Sequence, residues 1–516
     1  MLGAIATALA VNVPLAYIFV RAAGAGWPRY AEVVFSQQTL ALLARTLLLV
    51  GGVLCLAVPL SVTLAWLVTR TDLPGRRVWA VVASLPLVFP SYVAAFAWVS
   101  IWGPKGFVQK ALAPLGIEIL PSWAYGYSGA WLVLALFTYP YVYLLVVAGL
   151  RKMDPSTEEA ARSLGRRPWA VFFSAVLPQL KRPLYAGSLL MALYTLSDFG
   201  AVSIVRYKTF TLSIYNAYRG LFDRSVAASL ATVLVVITVA LIVLESWLSS
   251  RLPPSQVRPS RPPERLALGR WRWPATLAVV LLAMVNLMAP LAVVVHWAVK
   301  AWRLGNPIGV AGEAALHSLG VAVLAAVAAV ALSLPVSIWA MRHGGWLARL
   351  TLGMTYSGYA LPGLVIALSL VFFATRLVPP LYQTVLLLVV AYVVRFLPEA
   401  VSATRASLGA LAPIFEEAAK SLGRGSWSVL RTITLPLIRP GLLAGAGLVF
   451  LTTMKELPAT LILRPTGFET LATRVWTATS EGVYSQAALP ALALVGTSAI
   501  PVYFLIVRPV LSEHSR

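Results

Sequence analysis

Charge is scarce in this sequence: 11% of its 516 residues are Asp, Glu, Lys or Arg, less than half the roughly 25% usual in soluble globular domains. That deficit excludes an ordinary soluble enzyme. Cysteine is scarcer still, and the single Cys55 permits no intramolecular disulfide and no cysteine-based metal site. The four histidines (His296, His317, His343, His514) fall on different segments without ligand spacing, and no HExxH occurs, so neither a catalytic metal site nor a nucleophilic triad has support. No Gly-Lys pair exists anywhere, which removes the GxxxxGK[ST] loop that cradles phosphates. Acidic residues are the rarer sign of charge, 18 against 41 Lys and Arg, giving +23. The basic residues are spread over many loops with no single basic face, which argues against nucleic acid.

What is abundant is apolar sequence, 59% of the chain. It runs in twelve windows long enough to cross a bilayer. Six lie at about 2–20, 46–69, 78–102, 129–150, 184–205 and 226–248; six more follow at 274–297, 317–341, 350–374, 380–398, 441–462 and 486–507. Between the sets, residues 250–273 hold five prolines and six arginines, which forbid a regular helix and a buried core. The expected fold is therefore an all-α membrane protein of about twelve transmembrane helices, divided into 1–249, a linker at 250–273, and 274–516. The first window lacks a basic leader and reads as a retained helix rather than a signal peptide. Basic residues crowd the linker and the segment 151–182, which carries seven, so the positive-inside rule predicts both termini in the cytoplasm.

The chain repeats itself. At an offset of 258 residues, PSTEEAARSLGRRPWAVFFSAVLPQLKRPLYAG (155–187) aligns without a gap to PIFEEAAKSLGRGSWSVLRTITLPLIRPGLLAG (413–445), with 16 identities in 33 positions. Unrelated sequences match at roughly one position in sixteen, so the halves are homologous. The register continues to pair Asp198 with Glu456; upstream, Pro90 and Pro362 pair at an offset of 272. Each repeated loop opens on acidic residues, Glu158-Glu159 and Glu416-Glu417, where a helix dipole favours them. Ala160-Ala161 and Ala418-Ala419 follow, then Gly165 or Gly423, suited to a left-handed helix end. A second amphipathic stretch is expected to break at Pro178 or Pro436. A small-residue surface with charged flanks suits docking against another protein; the alternative is a solvated connector, which a pattern repeated at equal spacing disfavours.

These loops resemble the EAA signature of the membrane subunits of type I ABC importers, EAA-x3-G followed by Leu-Pro. Two signatures in one chain resemble the fused class of that family, and SDFGAVSIVRYKTFTLSIYNAY (197–218) with KELPATLILRPTGFETLATRVW (455–476) look like ferric iron permeases. The resemblance implies that the loops are coupling helices, with Glu159 and Glu417 as acidic contacts to a cytoplasmic ATPase present in two copies, and the alanines and glycines permitting close approach. It implies no cofactor bound by this chain, ATP used by the partner, an extracytoplasmic (periplasmic) binding protein, membrane lipid around the spans, and a place in the cytoplasmic (inner) membrane. The cargo expected is ferric iron, with thiamine or another small solute as the alternative. A secondary transporter also has two parallel six-helix halves, but has no reason to repeat a Glu-Ala-Ala loop.

Ionisable residues inside a bilayer are costly and usually face a pore or a partner. The spans single out Asp198, Lys455 and Glu456. Paired carboxylates suit a hard trivalent cation; equally, they could mark helix ends reached by water, or Lys455 could pair with a neighbouring carboxylate. No firm metal site follows. Pro90 and Pro362 break the third and ninth helices at matching places, forming a gate or allowing bent packing.

Overall fold

A computed structural model describes the chain except residues 25, 118–121, 155, 221–223, 253–264, 306–307, 413 and 509–516. The middle of the expected linker thus lies outside the described residues. The first half contains α1 (Leu2–Ala23), α2 (Gln37–Arg70), α3 (Arg76–Val82), α4 (Ser91–Trp102), α5 (Gly126–Lys152), α6 (Ser156–Ser163), α7 (Lys181–Ser197), α8 (Gly200–Ile204), α9 (Phe210–Arg219) and α10 (Arg224–Ser250). The second contains α11 (Arg272–Ala283), α12 (Ala289–Arg303), α13 (Ile308–Arg342), α14 (Trp346–Ala360), α15 (Gly363–Leu377), α16 (Val385–Ala410), α17 (Ile414–Ser421), α18 (Leu435–Met454), α19 (Pro458–Leu463), α20 (Leu471–Ser480) and α21 (Tyr484–Val502). Short helical turns link several of these.

Among the described residues, nine helices are long and apolar enough to cross a membrane, and eleven spans result if each of two sharply bent pairs counts as one. The bends are where the matched prolines fall. The helix ahead of Pro90 and the one after it meet at 95°, and those around Pro362 at 103°. Proline supplies no amide to the preceding turn and its ring opposes helical geometry there. The fifth window, 184–205, departs from the expectation of an unbroken span. Its helix α7 stops after 17 residues at Ser197, and the chain restarts as α8, because Asp198 is extended and turns its carboxylate onto the next helix. The expected break at Pro178 and Pro436 also differs. In both halves a π-helical turn, Phe172–Val176 or Leu430–Thr434, comes first and the proline sits in the opening positions of the next helix. A proline there lacks an amide that would be unpaired anyway.

The chain packs as two compact units that divide it differently from the sequence repeat. The amino unit holds 37–212, 236–304 and 502–516; the carboxy unit holds 1–36, 213–235 and 305–501. Each repeat therefore lends its first helix to the unit built on the other repeat. In the amino unit α2, α5 and α7 pack on one another, α4 lies on α5, and α12 lies on α4. In the carboxy unit α13, α16 and α18 form the corresponding trio, and α1 packs on α13, α14 and α15. Small residues allow this: Ala4, Ala8, Val11, Ile18 and Ala22 are buried at helical spacing along one face of α1. Asn12 adds a polar staple, its Nδ2 donating to the Met354 carbonyl at 2.8 Å and its Oδ1 accepting from Ser357 at 2.9 Å. Large apolar side chains on other faces, such as Val243 and Leu244 of α10 and Leu277 and Leu281 of α11, remain exposed, as a lipid-facing surface requires.

Candidate functional site

The repeated loops fold as the spacing predicts. α6 and α17 are eight-residue helices with the paired glutamates in their first turns. Each ends on a glycine in the left-handed region, Gly165 at φ +75° and Gly423 at φ +79°. The following amide reaches back to close the end, Arg166 N to the Ala161 carbonyl at 3.3 Å and Arg424 N to Ala419 at 3.1 Å, which is the Schellman arrangement. Beyond it, Arg166 donates to Ser174 Oγ at 3.2 Å and Arg424 to Thr432 Oγ1 at 3.3 Å. The two loops therefore reproduce each other in side-chain detail as well as in backbone.

The two glutamates of each loop have separate places. Glu159 and Glu417 are exposed, with Ala160 and Ala418 beside them. Glu158 is buried and ion-paired to Arg70 at 3.2 Å and Arg162 at 3.4 Å. Glu416 pairs with Arg342 at 3.0 Å and accepts from Thr434 Oγ1 at 2.9 Å. Burial pushes the Glu158 carboxyl above its usual range, while the Arg70 and Arg162 guanidiniums oppose that shift. Sequence spacing alone grouped all four glutamates together; the turn of the helix separates them. Around the exposed pair stand apolar side chains in matching positions, Leu164 and Trp169 in one half, Leu422 and Trp427 in the other, 73% exposed or more. A surface of this kind, apolar with a charged rim, is suited to a protein partner.

Inside the spans the structure gives Asp198 and Glu456 equivalent work. Asp198 Oδ1 accepts from the amides of Ala201 at 3.0 Å and Val202 at 3.2 Å, and Ser91, the first residue after Pro90, stands beside the carboxylate. Glu456 Oε1 accepts from Ala459 N at 3.1 Å and lies against Gly363, the first residue after Pro362. Each carboxylate thus sits at the positive ends of two helices, the one that follows it and the one that restarts after the proline break. Lys455 is half-buried at the end of α18. No group of three or more His, Cys, Asp or Glu able to hold a metal occurs among the described residues.

The apolar windows do not single out Arg395 and Glu399, although both lie mid-way along α16. Hydropathy averaging hides two charges among many aliphatic neighbours. Arg395 is ion-paired to Glu456 at 2.9 Å, and Glu399 accepts from Thr452 Oγ1 at 3.1 Å. At the repeat-equivalent positions of the first half stand Phe137 for Arg395, and Tyr141 and Tyr194 for Glu399 and Thr452, the two tyrosine rings 5.5 Å apart. One signal was available: comparing the repeats position by position shows where one half is ionic and the other aromatic.

The family profile described as binding-protein-dependent transport system inner membrane component matches residues 57–254 and 329–508. The chain belongs to that family, twice over. It is a permease subunit of an ABC transporter and a multi-pass inner-membrane protein, and its relatives are transport subunits rather than enzymes. It is 34% identical over 506 residues, 96% of each chain, to the Fe(3+)-transport system permease protein FbpB 2 of Haemophilus influenzae. The sulfate transport system permease protein CysT of Escherichia coli is 29% identical over 47% of this chain and 88% of its own length. The molybdenum transport system permease protein ModB of Escherichia coli is 29% identical over 37% of this chain and 86% of its own. The two family segments each contain one Glu-Ala-Ala loop and one carboxylate-capped break.

Proposed function

We propose that this permease subunit conducts ferric iron, delivered by an extracytoplasmic binding protein, and that α6 and α17 are the coupling helices on which two copies of a cytoplasmic ATPase dock. The observation that carries the cargo is the relative named for Fe(3+) transport, which matches 96% of this chain as a two-repeat whole, whereas the sulfate and molybdenum relatives match about one repeat each. Docking is supported by two loops alike down to their arginine hydrogen bonds, each presenting a glutamate, an alanine, a leucine and a tryptophan to solvent. Both termini and the linker are then cytoplasmic, on the side of the ATPases.

In this reading, closure of the ATPase pair presses on α6 and α17, and the bent helices at Pro90 and Pro362 are the parts of the path that respond. Asp198 and Glu456 lie beside those bends, and Lys455 precedes Glu456 at the end of α18. The two carboxylates set the geometry of the breaks by holding the helix ends that meet there, which is a role in the path distinct from ligating cargo. The test is uptake into proteoliposomes containing the permease, its ATPase and its binding protein, with ferric iron, sulfate, molybdate and thiamine offered separately. ATP-dependent accumulation of iron alone supports the reading. Accumulation of an oxyanion or thiamine in place of iron overturns the cargo and leaves the coupling assignment to its own test.

A further inference from the structure

Resting on the coupling reading above, we propose that Arg70 and Arg342 are positioning residues. Each holds a coupling helix to the second long helix of its half through the first glutamate of the loop, and the linker between the halves reinforces the first of these anchors. Arg70 ends α2, a helix of 34 residues, and Arg342 ends α13, of 35. Each arginine therefore lies at the tip of a rod long enough to cross the membrane with length to spare. The contact that reaches the loop is an ion pair to Glu158 or Glu416. Displacement of α6 or α17 is passed to the rod through that pair.

The two anchors differ in burial: the Arg342 pair is bidentate, with contacts of 3.0 and 3.1 Å, and the Arg70 pair is the more enclosed. The Arg70 and Glu158 side chains are 2% and 3% exposed, against 20% and 13% for Arg342 and Glu416. Arg70 also donates to the Leu150 carbonyl at 3.0 Å, in the last turn of α5, where the carbonyls of a helix end favour a cation. Its own backbone is clasped by the linker. Leu266 N donates to the Arg70 carbonyl at 2.8 Å, Asp72 N donates to the Leu266 carbonyl at 3.1 Å, and Leu268 N donates to Asp72 Oδ1 at 2.8 Å. This short bridge between Thr71 and Leu266 is the only β pairing among the described residues. A Pro/Arg-rich linker that served only to join two halves would have no need of it. Buried charges respond strongly to loss of one partner, because the remaining charge has no solvent to fall back on, so the first anchor is the more sensitive.

The experiment compares Glu158→Gln, Glu416→Gln and Asp72→Ala in the full chain. Three things are measured: amide exchange of residues 156–163 and 414–421 in the purified permease, copurification of the ATPase, and cargo moved per ATP hydrolysed in proteoliposomes. We expect Glu158→Gln to speed exchange in 156–163 at least tenfold and to lower cargo per ATP at least tenfold, with ATPase copurification within twofold of the parent. Glu416→Gln should do the same to 414–421 with a smaller effect, about threefold, and Asp72→Ala should speed exchange in 156–163 and leave 414–421 unchanged. Should Glu158→Gln fail to accumulate, the reversed pair Arg342→Glu with Glu416→Arg decides, since positioning requires it to restore at least half of the coupling that Glu416→Gln loses. Parent-like exchange in both glutamine variants overturns the proposal. So does loss of the ATPase with unchanged exchange, which would make these glutamates direct contacts. If Glu159→Lys with Glu417→Lys still binds the ATPase, the coupling reading fails, while exchange in the isolated permease still judges the anchors.

Discussion

Glu456 meets Arg395 in an ion pair at 2.9 Å, whereas its repeat counterpart Asp198 has no ion pair among the described residues and the place of the arginine is taken by Phe137. Both carboxylates cap the next helix, so the cap is common to the halves and the charge pair belongs to one. Glu456→Gln leaves the Arg395 guanidinium, 19% exposed, without its ion-pair partner; losing one member of such a pair costs ~3 kcal/mol. We expect a fall of several degrees in melting temperature in detergent. Rebuilding the second half on the pattern of the first, Arg395→Phe with Glu456→Asp, should recover at least half of that loss. A double variant as unstable as Glu456→Gln would show that the pair is needed for more than mutual compensation.

Asp198→Asn keeps an acceptor for the Ala201 and Val202 amides and has no arginine to strand, so it should change stability by less than ~1 kcal/mol and uptake by less than about threefold. Asp198→Ala removes the acceptor altogether and should cost ~1 to 2 kcal/mol, as helix caps do. The ordering is measured by melting temperature and uptake in parallel. Uptake abolished by Asp198→Asn in a stable protein would assign this carboxylate to the cargo instead of the helix end.

Much of this was legible in the sequence, for local reasons. Pro90 and Pro362 act on the turns next to them, Gly165 and Gly423 set the loop ends through their own φ angles, and a 258-residue repeat is a property of the string itself. What escaped depends on residues far apart in the chain. Glu158 turns inward because Arg70 waits 88 positions earlier. The exchange of α1 and α12 between compact units is set by side-chain complementarity, Asn12 to Met354 and Ser357 for example, which no window of one segment contains. Arg395 and Glu399 vanish into the mean of an apolar stretch.

That polar staple gives a third prediction. Asn12→Leu removes two hydrogen bonds between α1 and α14 and leaves the Ser357 hydroxyl only its bond to the Met354 carbonyl. Side-chain hydrogen bonds between membrane helices contribute ~0.6 to 2 kcal/mol each, so the variant should unfold about 1 to 4 kcal/mol more easily in detergent. Paired cysteines placed on α1 and α14 should also crosslink more slowly. Unchanged crosslinking would mean that the small-residue face of α1 holds it in place alone.

The exposed faces of α6 and α17 give the last prediction, and here stability and function should separate. Glu159, Glu417, Leu164 and Leu422 are solvent-exposed, Leu422 by 82%, so replacing them disturbs little within the permease; surface substitutions of this kind usually stay within ~0.5 kcal/mol. Against a docked partner they matter more, because a lysine in place of a glutamate reverses the charge offered and an aspartate in place of a leucine must be desolvated at the interface. Glu159→Lys with Glu417→Lys should abolish ATPase copurification. Leu422→Asp should weaken association about tenfold, close to 1.4 kcal/mol, with the melting temperature of the isolated permease unchanged in both. Retained copurification in the double lysine variant would remove the acidic contact from the coupling mechanism; a lowered melting temperature would show that these side chains serve the fold rather than the partner.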